Sequence, residues 1–290
     1  MIPGFDARRV ECGAATIACE IGGEGPPLLL LHGFPQTRAM WTHIAPVLAR
    51  SHTVVCADLR GYGASDKPSG TGAMTFRAMG ADQLALMSAL GFERFHLAGH
   101  DRGARTAHRM ALDAAGRIAS LALMDIVPTA HLLDRLTPEV ARAYYHWFFL
   151  AQPQPVPERM IGADPDAFFE RCLGGWGGAG LSAFDPRLLD AYRAAWRDPE
   201  AIRAMCDDYR AALDHDAALD RAEAGRIDCP CLVLWGAEGA MARAYDVPGT
   251  WAPWLSQIEA RAIPGGHFFP DEMPAETAEA LGAFLARQSL

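Results

Sequence analysis

The pentapeptide Gly99-His100-Asp101-Arg102-Gly103 constrains this chain more than any other stretch. It has the spacing of a nucleophile elbow, follows a short apolar run at 95–98 and precedes a helix-like segment. An elbow turns sharply from strand into helix at the edge of a mostly parallel sheet, so it demands an α/β architecture with helices flanking that sheet. Position 101 is aspartate where the frame usually carries serine. Serine there makes acyl-enzymes. A carboxylate can instead attack an sp³ carbon, displace a leaving group and form an ester of the enzyme that water must then cleave.

Short apolar runs alternate with longer amphipathic ones along the rest of the chain, as a parallel sheet requires. Strands are expected at 16–20, 27–31, 53–57, 95–98, 118–124, 231–235 and 258–263, with helices at 76–90, 104–114 and 274–288. From about residue 128 to 225 the strand pattern stops. Helix formers and aromatics take over, interrupted by Pro153, Pro155, Pro157 and the glycines between Gly174 and Gly180. The expected organisation is therefore a core from 1–127 and 226–290, with a helical cap at 128–225 over the carboxyl ends of the strands.

Composition narrows the partners. A formal net charge of -9 argues against nucleic acid and anionic membrane, and gives no long-range help in collecting an anionic substrate. Residues 1–25 lack the basic start and apolar stretch of a signal peptide, and no run is apolar for long enough to span a bilayer. Seven scattered cysteines read as reduced thiols of a cytoplasmic protein. Cys229 and Cys231 have no second Cys/His pair nearby that would complete a zinc site.

The elbow needs a base, an orienting acid and an oxyanion hole. His267, in Gly265-Gly266-His267 after the last expected strand, occupies the slot of the base. It would deprotonate the water that attacks the ester, since an ionised aspartate needs no activation. Two acids compete to orient it, Asp125 at the end of the 118–124 run and Glu238 in a small-residue loop. The rigid strand end favours Asp125. The N–H of Phe34, after His32-Gly33, is expected to pair with that of Arg102 as the oxyanion hole. Arg102 and Arg105, three apart on the elbow helix, should share a face. Two like charges 4 Å apart repel by about 4 kcal/mol at an effective dielectric near 20, and two guanidinium groups would more than offset that for an anionic substrate. Arg109, one turn on, is expected to be solvated. Tyr145-His146-Trp147 and Asp207-Asp208-Tyr209-Arg210 carry neutral donors, although aromatics in helical segments usually pack in cores.

Together these motifs resemble the fluoroacetate (haloacetate) dehalogenases of the α/β-hydrolase superfamily. The matching pieces are Leu31-His32-Gly33-Phe34-Pro35-Gln36-Thr37, Arg60-Gly61-Tyr62-Gly63, the elbow through Arg105, Tyr145-His146-Trp147, Asp208-Tyr209-Arg210 and Gly266-His267-Phe268. The resemblance implies an α/β-hydrolase fold with a helical cap, no cofactor and a homodimer. It implies Asp101 as nucleophile, His267 as base with Asp125, Arg102 and Arg105 on the substrate carboxylate, His146, Trp147 and Tyr209 around the halide, and Trp176 on the pocket wall. The expected activity is hydrolysis of a small haloacid. An epoxide hydrolase would use the same aspartate and histidine with Tyr145 or Tyr209 as acid, but a neutral epoxide has no use for two cations. A protein that binds a small acid without turning it over fits poorly with an intact set of Asp101, Asp125 and His267.

Overall fold

Pro27–Leu31 holds four consecutive leucines and exposes none of its residues, the signature of a strand covered on both faces. In this computed structural model, which describes residues 1–175 and 180–290, it forms β3 near the middle of the sheet. The other strands are β1 (Asp6–Glu11), β2 (Thr16–Gly22), β4 (Thr53–Ala57), β5 (Phe95–His100), β6 (Ile118–Met124), β7 (Cys231–Gly236) and β8 (Ile258–Ile263). They lie in the order β1-β2-β4-β3-β5-β6-β7-β8. β1 and β2 run antiparallel, and every pair from β4 through β8 is parallel. The register places Leu31 of β3 opposite Gly99 of β5, and His100 opposite Met124 of β6. The carboxyl ends of these three strands therefore converge.

The strand absent from the sequence reading is β1. Its residues, Asp-Ala-Arg-Arg-Val-Glu, show no apolar alternation, because as an edge strand it buries neither face. The elbow helix also begins earlier than expected, at Arg102, running to Asp113. Both elbow glycines are there for proximity. A Cβ on Gly103 would lie 2.4 Å from the His32 carbonyl oxygen, and one on Gly99 would lie 2.4 Å from the Gly103 oxygen. The helix can thus press directly against the ends of β3 and β5.

Between β6 and β7 the described chain is helical, with no strand. Thr137, Asp164, Asp185 and Asp198 each precede a proline and accept a backbone N–H from the first turn that follows, at 3.3, 3.1, 2.8 and 2.9 Å. Proline at the first helical position loses no hydrogen bond and fixes φ, so these pairs define where the helices start. The glycine cluster and Trp176 expected on the pocket wall fall partly at 176–179, outside the described residues.

Replacing Gly103 by alanine forces a methyl group into backbone. It should destabilise the fold by about 1–3 kcal/mol in urea unfolding, a typical overpacking cost, whereas Gly116→Ala, with open space around it, should cost far less.

Candidate active site

Two non-glycine residues have positive φ among the described residues, and both are acids at strand ends. Asp101 (φ 48) follows β5, and Asp125 (φ 51) follows β6. Such strain survives only where the surroundings enforce it. The Asp101 N–H donates to Met124 O at 3.1 Å, and its carbonyl accepts from Arg105 N at 3.0 Å. The Asp125 N–H donates to Leu234 O at 2.8 Å, while Asp125 Oδ1 accepts the Gly236 N–H at 2.9 Å. Each carboxylate is thus aimed by the neighbouring strand.

His267 lies in the loop between β8 and the short helix Phe269–Glu272. Its Nδ1 meets Asp125 Oδ2 at 2.6 Å, and its Nε2 is 3.8 Å from Asp101 Oδ2. His100 Nε2 donates to the His267 carbonyl at 2.7 Å, and Glu272 accepts the Gly266 N–H at 2.6 Å. Glu238, the competing acid, is exposed. On the other side of Asp101, the Phe34 N–H donates to Oδ1 at 3.1 Å. The loop approaches so closely that a Cβ on Gly33 would lie 2.4 Å from that of Asp101. The Arg102 N–H, expected as a second donor, makes no hydrogen bond to this carboxylate among the described residues.

The electrostatics separate the two roles. Burial works to raise the Asp101 carboxyl, yet His267, Arg102, His100 and Arg105 outweigh it and hold the group below the usual aspartate range. Burial works to lower His267, but its hydrogen bond to Asp125 and the charges of Asp125 and Asp101 push it above the ordinary 6.5. Desolvation drives His100 down to about 4 and His146 well below its ordinary value, so both are neutral rings.

Arg102 and Arg105 are both buried. Arg102 is stacked between Phe76 and Tyr209, 4.5 and 4.3 Å from the ring centroids, and Arg105 lies 4.8 Å from the Trp147 ring. His146, Trp147 and Tyr209 pack together beside these cations. Tyr209 packs edge-on against His146 at 5.4 Å and Trp147 at 5.5 Å, while His146 stacks on Phe34 at 5.7 Å. Trp147 Nε1, Tyr209 OH, Arg102 Nη1 and Arg105 Nε are buried and make no hydrogen bond among the described residues. Four unmet buried donors on side chains that touch one another are the mark of a site shaped for an acceptor.

Other expectations shift. Tyr145 is 41% exposed and packs edge-on against His146 at 6.2 Å, whereas Tyr144 is buried, edge-on to His267 at 6.4 Å. Helix phase separates them, since Tyr144 caps one helix and Tyr145 begins the next. Arg109 is buried rather than solvated, because Asp113, one turn further on, pairs with it. Arg210 serves the helical segment itself, bonded to Glu158, Asp207 and the Gln152 carbonyl. Sequence reasoning also missed Tyr62, which donates to Asp208 at 2.6 Å. It missed a buried bridge as well, in which Tyr192 donates to Asp271 at 3.1 Å and Gln36 bonds the same carboxyl. Burial pushes Asp271 up to about 8. All seven cysteines are free, and among the described residues no group of His, Cys, Asp and Glu could hold a metal ion and no helix is long and apolar enough to cross a membrane.

Comparison with known proteins agrees with this geometry. The alpha/beta hydrolase fold family matches residues 26–274. The chain is 53% identical to a fluoroacetate dehalogenase from Burkholderia sp over 99% of its length and 95% of that protein's. It is 29% identical to a soluble epoxide hydrolase from Corynebacterium sp. (strain C12), over 87% of each chain. The crystal structure of ALR0039 from Nostoc sp PCC 7120 superposes with a TM-score of 0.97 at 45% identity, covering 99% of this chain and 100% of the other. The chain therefore belongs to the α/β-hydrolase fold family and, within it, to the fluoroacetate dehalogenases.

Since the hydrogen bond and charge of Asp125 hold His267 up against desolvation, Asp125→Asn should drop the His267 pKa below 6.5. NMR titration of the ring proton would report it, and an unmoved pKa would refute the assigned cause.

Proposed function

We propose that this protein is a haloacetate dehalogenase, converting fluoroacetate to glycolate and fluoride, with 128–225 acting as the cap over a core of 1–127 and 226–290. The observation that carries the reading is an ionised carboxylate buried beside two guanidinium groups and two unmet neutral donors. Asp101 Oδ1 is engaged by the Phe34 N–H, and Oδ2 accepts no hydrogen bond among the described residues. Oδ2 is the nucleophile. It bonds to the halogen-bearing carbon as the carbon–halogen bond breaks, and Oδ1 becomes the carbonyl oxygen of the ester.

Arg102 and Arg105 hold the substrate carboxylate and offset its repulsion by Asp101. Trp147 Nε1, Tyr209 OH and the neutral His146 face the departing halide. Fluoride is a poor leaving group but a strong acceptor, so these donors act most strongly as its charge develops. His267, oriented by Asp125, then takes a proton from water. That water adds to Asp101 Cγ, the Phe34 N–H stabilises the resulting oxyanion, and collapse, with His267 returning its proton to the leaving oxygen, releases glycolate carrying the former Oδ2. No cofactor enters this scheme.

The epoxide reading keeps Asp101 and His267 and would require Tyr144 or Tyr209 as acid. It leaves Arg105, buried near the nucleophile with no ion pair among the described residues, without a purpose. Free thiols favour a cytoplasmic setting. Homodimerisation is supported by Val156 and Met160, 49% and 63% exposed and one turn apart on Val156–Ala163. Met160→Glu should then lower the assembly state seen in sedimentation, and a mass unchanged from the parent protein would argue against this face.

The reaction is tested by fluoride release from fluoroacetate beside chloroacetate and an aromatic epoxide, with Asp101→Asn as the inactive control. Turnover of the epoxide alone would overturn the assignment. Asp101 stays ionised in acid while His267 must be neutral to act as a base and has a pKa above 6.5. At about pH 5.5, one unit below the unperturbed histidine value, alkylation should therefore outrun hydrolysis. The covalent adduct should accumulate in an intact-mass spectrum and disappear at about pH 8. Tyr209→Phe should slow fluoroacetate by about 10²-fold and chloroacetate by less.

A further inference from the structure

Arg102 is already largely engaged. Its Nε donates to Asp208 Oδ2 at 2.9 Å, and its Nη2 bonds Asp208 Oδ1 and reaches the Asp208 carbonyl at 3.0 Å. Neither side chain has any exposure. Tyr62 donates to the same Oδ2 at 2.6 Å, fixing the carboxylate from the far side. Only Nη1 of Arg102 lacks a hydrogen bond among the described residues.

Arg105 is held differently. Its Nη1 donates to two neutral oxygens, Val127 O and Thr129 Oγ1, both at 3.0 Å. It forms no ion pair among the described residues. Asp220 acts on Arg105 through its charge without a hydrogen bond to it among the described residues; burial raises that carboxyl and Arg105 opposes the rise. One guanidinium has a carboxylate partner where it sits, and the other bonds only neutral oxygens among the described residues.

Taking from the dehalogenase reading only that the pocket receives a carboxylate, we propose that Asp208 is a positioning residue that holds the Arg102 fork away from Asp101. It thereby leaves Arg105 as the one guanidinium of the two with no carboxylate hydrogen-bonded to it among the described residues, so the pocket accepts one carboxylate and rejects a second. Arg102 is the sequence neighbour of Asp101, and an unclaimed guanidinium pairs in two-point fashion with a carboxylate within reach. In the empty pocket that carboxylate is Asp101, and a nucleophile gripped by a fork is a poor one. Paired with Asp208, Arg102 still lends its field to Asp101. It offers the substrate one N–H rather than a free charge.

The test is Asp208→Asn in the full chain. Binding of acetate and malonate, which carry no leaving group, is measured by calorimetry, and alkylation by chloroacetate in a single turnover. Wild-type protein should bind acetate at least about tenfold more tightly than malonate. Asp208→Asn frees a cation, so that ratio should fall by about tenfold while the alkylation rate drops by a similar factor. Asp208→Glu should restore both. The size difference between the two ligands is common to all variants and cancels.

A folded Asp208→Asn protein with an unchanged ratio, whatever its stability, overturns the proposal. Should that variant fail to fold, Tyr62→Phe decides, since it removes one O–H from Asp208 and should move the ratio the same way by about two- to threefold. No movement there overturns the proposal as well. If the ratio moves but the parent enzyme releases no halide, the dehalogenase reading falls and the charge assignment stands.

Discussion

Keeping a carboxylate charged while taking it out of water is the condition on which this active site is built. Asp101 is only 3% exposed. Burying an unpaired ion costs several kcal/mol even after relaxation, and neutralisation would ordinarily be cheaper than paying it. Here the surroundings supply the compensation from four sides: the Phe34 N–H, His267, and the Arg102 and Arg105 guanidinium groups. Positive φ at Asp101 and Asp125 follows from the same requirement, because each side chain must leave its strand end toward a common point. The close glycine contacts at 33, 99 and 103 let the backbone come near enough for those partners to meet.

The sheet was largely legible because its inner strands are apolar over their whole length. Pro27–Leu31 and Ile118–Met124 contain no charge, and two-sided burial permits little else. β1 was not legible, since an edge strand with solvent on both faces carries no pattern to read. The elbow, His267 and the choice of Asp125 over Glu238 could be placed because each sits at a strand end, where chain order and spatial order coincide.

Contacts between distant segments were beyond the sequence. Nothing near Tyr62 announces that its hydroxyl meets Asp208, 146 residues away. The aromatics at 144–147 illustrate the same limit. A short break between two helices decides that Tyr144 turns inward and Tyr145 outward, and composition is silent about such breaks. Arg109 failed for a related reason, because its position on the helix suggested water while Asp113 and Glu223, both nearer the solvent, pair with it and leave it buried.

The bridge of Tyr192, Asp271 and Gln36 joins three parts that the chemistry needs in fixed relation: the helical segment, the stretch just beyond His267, and the loop that carries Phe34. With Asp271 raised to about 8, that bridge is held by a carboxylic acid in its neutral form near neutrality. Alkaline conditions would place a buried negative charge at that bridge, with the Tyr192 O–H and the Gln36 amide donating to it. An alkaline limit set at this bridge would therefore show as lost stability rather than as a change in the chemical step, because Asp271 is not one of the reacting groups.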